Sequence, residues 1–169
     1  MAKESPSQTA GPYVHIGCVP SFAGLNGPFK GGDLGQRMIT GGTADTPIGL
    51  SITVIDGAGA PLGDAMLELW QAGPDGQFGT TDGFSNWGRA AVAPDTGTAT
   101  FQTLKPGRVG AQAPHVLVWI VARGINLGLI TRIYFPDEEN MNDPVFQLAG
   151  ARASTLLAKP TAGGNAHDI

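Results

Sequence analysis

The chain has 169 residues, long enough to bury a core and short enough for a single domain. It carries 26 Gly, 13 Pro and only 14% charged residues, a balance that favours short strands and tight turns over a helical bundle. A net charge of −4 without a Lys/Arg cluster argues against nucleic-acid partners, and the single cysteine, Cys18, excludes an internal disulfide.

Residues 1–12 read as an extended arm, because Pro6, Gly11 and Pro12 oppose a helix and Ser5–Thr9 is polar. Residues 20–47 are Gly-rich and irregular apart from a helical turn around Asp33–Ile39; so long a stretch without regular structure points to function or to packing on a partner. Residues 1–47 are therefore expected to face a partner, and residues 48–169 to form the core. Ile48–Asp56 alternates and predicts a strand, Gly57–Gly59 a turn, and Ala65–Gln71 the returning strand. Gly73–Gly76 predicts another turn, and Gly79–Gly88 a loop with little periodicity. Thr98–Leu104 predicts a strand, and His115–Ala122 is so continuously apolar that it belongs centrally in a sheet. Leu127–Phe135 is the next strand, Val145–Leu148 a short helix after an acidic turn, and Thr155–Ala158 a further strand. Asn165–Ile169 alternates like the start of a strand that nothing terminates. The sum is an all-β chain, a β-sandwich of about six to eight strands with short helical excursions.

No apolar run reaches the ~20 residues of a membrane span. The N-terminus has no hydrophobic signal region, so a cytoplasmic protein is expected. The chain has no dinucleotide or phosphate-binding loop, no H-E-x-x-H and no G-x-S-x-G. Its histidines, His15, His115 and His167, are far apart, and Tyr13 and His15, read as strand residues pointing the same way, are too few for a rigid metal site. Asp137, Glu138 and Glu139 read as a solvated turn, and Arg132 as a solvent-facing charge. On its own chemistry the chain reads as a binding or assembly subunit.

Ordered motifs sharpen this. Ser5–Gly17 (SPSQTAGPYVHIG) opens the series, followed by Leu67–Ala72 (LELWQA), Ser85–Arg89 (SNWGR) and Leu104–Gly107 (LKPG). Ala113–His115 (APH), Ala122–Asn126 (ARGIN) and Thr131–Phe135 (TRIYF) complete it. In this order, over nearly the whole chain, they resemble the intradiol ring-cleavage dioxygenase family, and within it the subunit type that carries no iron.

The resemblance implies a catalytic partner that holds non-haem ferric iron with two tyrosinates and two imidazoles; hard phenolate oxygens suit ferric iron. The corresponding positions here are Phe78, Val109, His115 and Leu117, so three of the four donors are replaced and only His115 remains. It further implies an iron-bearing β-type partner of the same fold, with protocatechuate (3,4-dihydroxybenzoate) and O2 as substrates. This chain would line the pocket with Thr9, Gly11, Pro12 and Tyr13 of the arm and with Arg123. A guanidinium binds a carboxylate bidentately, a tyrosine stacks on a ring and donates a hydrogen bond, and a glycine lets backbone approach a ligand. The competing expectation is a β-sandwich scaffold subunit with no part in substrate binding.

Overall fold

The computed structural model describes residues 9–25, 32–79, 83–161 and 166–168. The polar segment 5–8 expected of the arm lies outside them. Eight strands occur among the described residues, in two four-stranded sheets. One sheet contains β1 (Pro47–Thr53), β4 (Thr98–Leu104), β7 (Lys159–Pro160) and β8 (Ala166–Asp168), in the order β4-β1-β8-β7. The other contains β2 (Met66–Gln71), β3 (Trp87–Ala91), β5 (His115–Val121) and β6 (Leu129–Tyr134), in the order β3-β2-β5-β6. Pairing is antiparallel throughout except between β1 and β8, which run parallel.

The core lies between the sheets. Alternation along β1 buries Ile48, Leu50 and Ile52, and β4 adds Ala99 and Phe101. They meet Leu67 and Leu69 of β2, Val116 and Val118 of β5 and Ile133 of β6 in one apolar cluster. Truncating any of the large side chains there to Ala costs about 2–5 kcal/mol. Gln71, 1% exposed, ties the sheets together: its Nε2 donates to Leu104 O at 2.7 Å, and its Oε1 accepts from Thr103 Oγ1 at 2.8 Å. β5 sits inside its sheet, between β2 and β6, as its apolar run predicts.

Four local expectations need correction. The segment after Gly11 is a helix, α1 (Pro12–Cys18), because a proline is tolerated in the first helical turn, where its missing N–H has no intrahelical partner. Tyr13 and His15 are then about 200° apart around the helix, not on one face; Tyr13 is 80% exposed and His15 is buried. Part of the stretch read as a loop is β3, whose Gly88 has no side chain because Met38 packs where a Cβ would stand. Thr155–Ala158 is not a strand: a 3-10 helix runs over Gly150–Leu156, and Leu157 only bridges to Tyr134. Arg132 is half-buried and engaged, as described below. The helix expected at Val145–Leu148 is present as α2 (Pro144–Leu148), and β8 forms where the C-terminal alternation predicts it.

The N-terminal segment covers the outer face of β2 and β3. Glu68 points to that face, is only 9% exposed, and accepts from Arg89 Nε at 2.7 Å. The Arg89 guanidinium also lies over the Trp87 ring at 4.8 Å and donates to Cys18 O, which fastens the segment after α1 to the sheet.

Candidate functional site

Two clusters of chemically capable residues stand at opposite ends of the β3-β2-β5-β6 sheet. At the first end the chain leaves β5 and turns at Gly124, whose φ of +81° suits the only residue type without a Cβ. The Gly124 N–H donates to Thr9 Oγ1 at 2.7 Å, which pins the arm to this turn. Arg123 lies beside it, with its Nε donating to the Asp64 carboxylate just ahead of β2. Between the turn and α1 is a cavity of about 300 Å³ bordered by Gly11, His15, Ile16, Phe22, Asp64 and Arg123. Arg123 also borders a cavity of about 490 Å³ on its other side, but no described arm residue reaches that one.

The expected pocket residues divide accordingly. Thr9, Gly11 and Arg123 are brought together, and Pro12 opens α1 directly after Gly11. Tyr13 is not among the residues that border the cavity; within this chain its ring faces outward. Two residues at this end were not anticipated, His15 and Asp64. The Asp64–Arg123 pair joins residues 59 positions apart, which no local pattern reveals.

At the opposite end are the four positions compared above with iron ligands. Phe78 is 60% exposed, Val109 forms a small bridge with Gln112, and Leu117 stands in β5 beside Arg132 of β6. His115 opens β5; its Nδ1 is 2.8 Å from Ala113 O, and its ring lies 5.7 Å from that of Tyr134. Burial pushes the His115 imidazole below its ordinary pKa against the pull of the Ala113 carbonyl, and the nearby Arg132 charge lowers it further. Arg132 donates to Gln112 Oε1 at 2.7 Å and to the Tyr134 hydroxyl at 3.2 Å. Asp143, fully buried, accepts from the N–H groups of Ala113, Val145 and Phe146 and from the Tyr134 hydroxyl. Burial works against its charge, but those donors prevail and hold its pKa below the ordinary value. Burial raises the Tyr134 phenol despite the Arg132 cation, so it stays neutral.

Residues 19–167 match the protein family described as Dioxygenase. The chain is 39% identical to the protocatechuate 3,4-dioxygenase alpha chain of Pseudomonas putida, over 92% of this chain and 83% of that one. It is 37% identical to the alpha chain of that name from Burkholderia cepacia, over 93% and 84% of the two chains. The chain belongs to the dioxygenase family. Solved structures agree on the fold. The dioxygenase domain of a carbohydrate-binding fusion protein from Streptomyces sp. SirexAA-E superposes with a TM-score of 0.62 at 24% identity, covering 98% of this chain and 96% of that one. Catechol 1,2-dioxygenase from Pseudomonas arvilla C-1 superposes with a TM-score of 0.61 at 20% identity, covering 79% of this chain and 53% of that one.

For a member of the dioxygenase family the donor set at the His115 end is telling. His115 Nδ1 faces a carbonyl and therefore carries the proton, which leaves Nε2 as its one lone pair. Phe78, Val109 and Leu117 have no donor atom, and the buried Tyr134 phenol is already shared with Arg132 and Asp143. Among the described residues no three His, Cys, Asp or Glu side chains converge to hold a metal. These residues do not fit ferric iron. The Arg123 cavity cannot supply what they lack, because β5, seven residues long, separates the two ends by about 20 Å. No helix among the described residues is long and apolar enough to cross a membrane.

Proposed function

We propose that this chain is the iron-free subunit of a protocatechuate 3,4-dioxygenase. The reaction is intradiol cleavage of 3,4-dihydroxybenzoate with O2 to 3-carboxy-cis,cis-muconate, in cytoplasmic aromatic catabolism. An iron-bearing β-type subunit holds the metal, and residues 1–47 here face it. One observation carries the reading: the cation and the arm cluster about 20 Å from this chain's own degenerate ligand positions. A carboxylate-binding end so far from them serves a metal held by another chain. The two relatives that are named alpha chains support the same division of labour.

In that complex the chain binds and orients. Arg123 offers its terminal Nη edge to the substrate carboxylate, since Asp64 engages only Nε. Thr9 and Gly11 wall the approach, and Tyr13, exposed here, is free to meet the ring across the interface.

The test is to purify the chain alone and with its β-type partner, and to measure iron and ring cleavage. The lone chain should be colourless and iron-free, and the complex coloured and active. In the complex, Arg123→Ala removes a charge-assisted contact of about 1.5–3 kcal/mol, so KM for 3,4-dihydroxybenzoate should rise about 10- to 100-fold. Stoichiometric iron in the lone chain refutes the division of labour, and an unchanged KM refutes the pocket role. The scaffold reading has one observation in its favour: Arg123 already has a carboxylate partner in Asp64. The KM measurement separates the two.

A further inference from the structure

The cavity under α1 holds a polar atom that neither the arm nor Arg123 uses. His15 is 8% exposed, and its Nε2 is buried without a hydrogen-bond partner among the described residues. Its ring lies on the Phe22 ring with centroids 4.5 Å apart, and both rings border the same cavity as Arg123 and Asp64. Buried polar atoms in native proteins are nearly always paired, because desolvating one without a partner carries a cost that nothing offsets. A lone buried imidazole on an apolar face is most often satisfied by its own fold, and this one has no such partner among the described residues. The other side chains on this wall, Ile16, Ala23 and Phe22, are apolar, and Asp64 is engaged by Arg123, so a polar ligand entering the cavity supplies a partner that the described residues do not.

We infer that His15 is a second recognition group for the substrate carboxylate, with its Nε2–H donating to one carboxylate oxygen while Arg123 engages the carboxylate from the solvent side. This rests on the reading of the cavity as the aromatic-acid site. A carboxylate has about four lone-pair positions, so a guanidinium and an imidazole can share it. The two groups complement each other. Arg123 has a side chain 75% exposed and shares its Nε with Asp64, so water screens much of its pull. His15 supplies a donor at the buried end, where a misplaced or missing carboxylate leaves it unsatisfied. Arg123 therefore attracts acids in general, and His15 selects those whose carboxylate reaches the cavity wall.

The experiment uses the complex of this chain with its iron-bearing partner. His15→Phe keeps a ring against Phe22 and removes both nitrogens; His15→Gln keeps a donor. KM and kcat are measured for 3,4-dihydroxybenzoate and for catechol, which lacks the carboxylate. The expected result is a KM for 3,4-dihydroxybenzoate raised about 10-fold in His15→Phe, with kcat nearly unchanged, KM for catechol unmoved, and partial recovery in His15→Gln. An equal change for both substrates, or none, overturns the inference. If Arg123→Ala still raises KM for the acid, only the role of His15 falls. If Arg123→Ala is also silent, the reading of the cavity falls with it. Should His15→Phe fail to assemble, His15→Leu takes its place as the variant without a donor: a KM for the acid that changes no more than that for catechol refutes the role.

Discussion

Replacing Asp143 by Asn tests whether the network at the His115 end is what holds that end together. In the wild type one carboxylate oxygen accepts from Val145 N at 2.7 Å and Phe146 N at 3.1 Å, and the other from Ala113 N at 2.9 Å. An asparagine can keep its carbonyl oxygen on the two helix N–H groups, but its amide nitrogen then faces the Ala113 N–H, donor against donor. Leaving that buried N–H unpaired costs about 1–3 kcal/mol, and the two remaining bonds lose their charge assistance. A total of about 3 kcal/mol follows, which for a chain of this length lowers Tm by about 6–12 °C. Asp143→Ala also loses the helix cap and should cost about 1 kcal/mol more. The pH dependence follows from the depressed carboxyl: the stabilisation is complete above its ordinary value of 3.8 and is lost as pH falls through the lower folded value. Thermal unfolding by circular dichroism should therefore show wild type and Asn variant far apart at pH 7 and converging in acid below pH 3.8. A difference under about 0.5 kcal/mol at pH 7, the scale of an ordinary surface change, refutes the reasoning. So does a gap that stays constant into acid.

Three further outcomes are expected. Gly88→Ala puts a Cβ 2.8 Å from the Met38 sulfur, so urea unfolding should show a loss of about 1–3 kcal/mol that Met38→Ala partly relieves. His115 has a folded pKa below its ordinary 6.5, so the unfolded chain binds more protons beneath that value; Tm should drop as pH is lowered through 6.5, less steeply in His115→Gln. Arg123→Ala removes an ion pair whose arginine is 75% exposed, so stability should fall by no more than the ~1 kcal/mol of a surface pair, a Tm shift of at most about 4 °C, and a KM change in that variant then reports binding.

What the sequence reveals of this chain depends on how local the cause is. β5 announces itself, because an interior strand with no side chain fully exposed demands an unbroken apolar run, and the turn at Gly73–Gly76 follows from its residue types. β3 does not, because its second residue is a glycine selected by Met38, 50 positions earlier in the chain, and a glycine read alone argues against a strand. α1 was hidden by Pro12, which breaks a helix from within but suits its first turn. A strand reading puts His15 on one face with Tyr13, where the pair is too small for a metal site, whereas the helix buries His15 and turns Tyr13 outward. The same limit applies to Arg132: its partners Gln112 and Tyr134 meet it only through the β5–β6 register. Arg123 was picked out by its motif, but Asp64 could be found only by folding.

The two ends of the sheet carry opposite histories of charge. At the His115 end, Phe78, Val109 and Leu117 offer only aliphatic and aromatic carbon, and a guanidinium, Arg132, stands within hydrogen-bonding reach of the one phenol there. A cation at that place repels a metal ion and adds to the burial that keeps His115 neutral; it favours a phenolate at Tyr134, but burial outweighs it and the phenol stays protonated. Asp143 balances it from the protein side, so the end is electrically complete without a bound ion. At the Arg123 end the balance is left open: Asp64 engages a single edge of the guanidinium, and a buried imidazole nitrogen has no partner among the described residues. An end whose polar groups are all matched needs no ligand. An end with an unmatched imidazole and a free guanidinium edge is one where an anion arriving from outside finds both groups already in place.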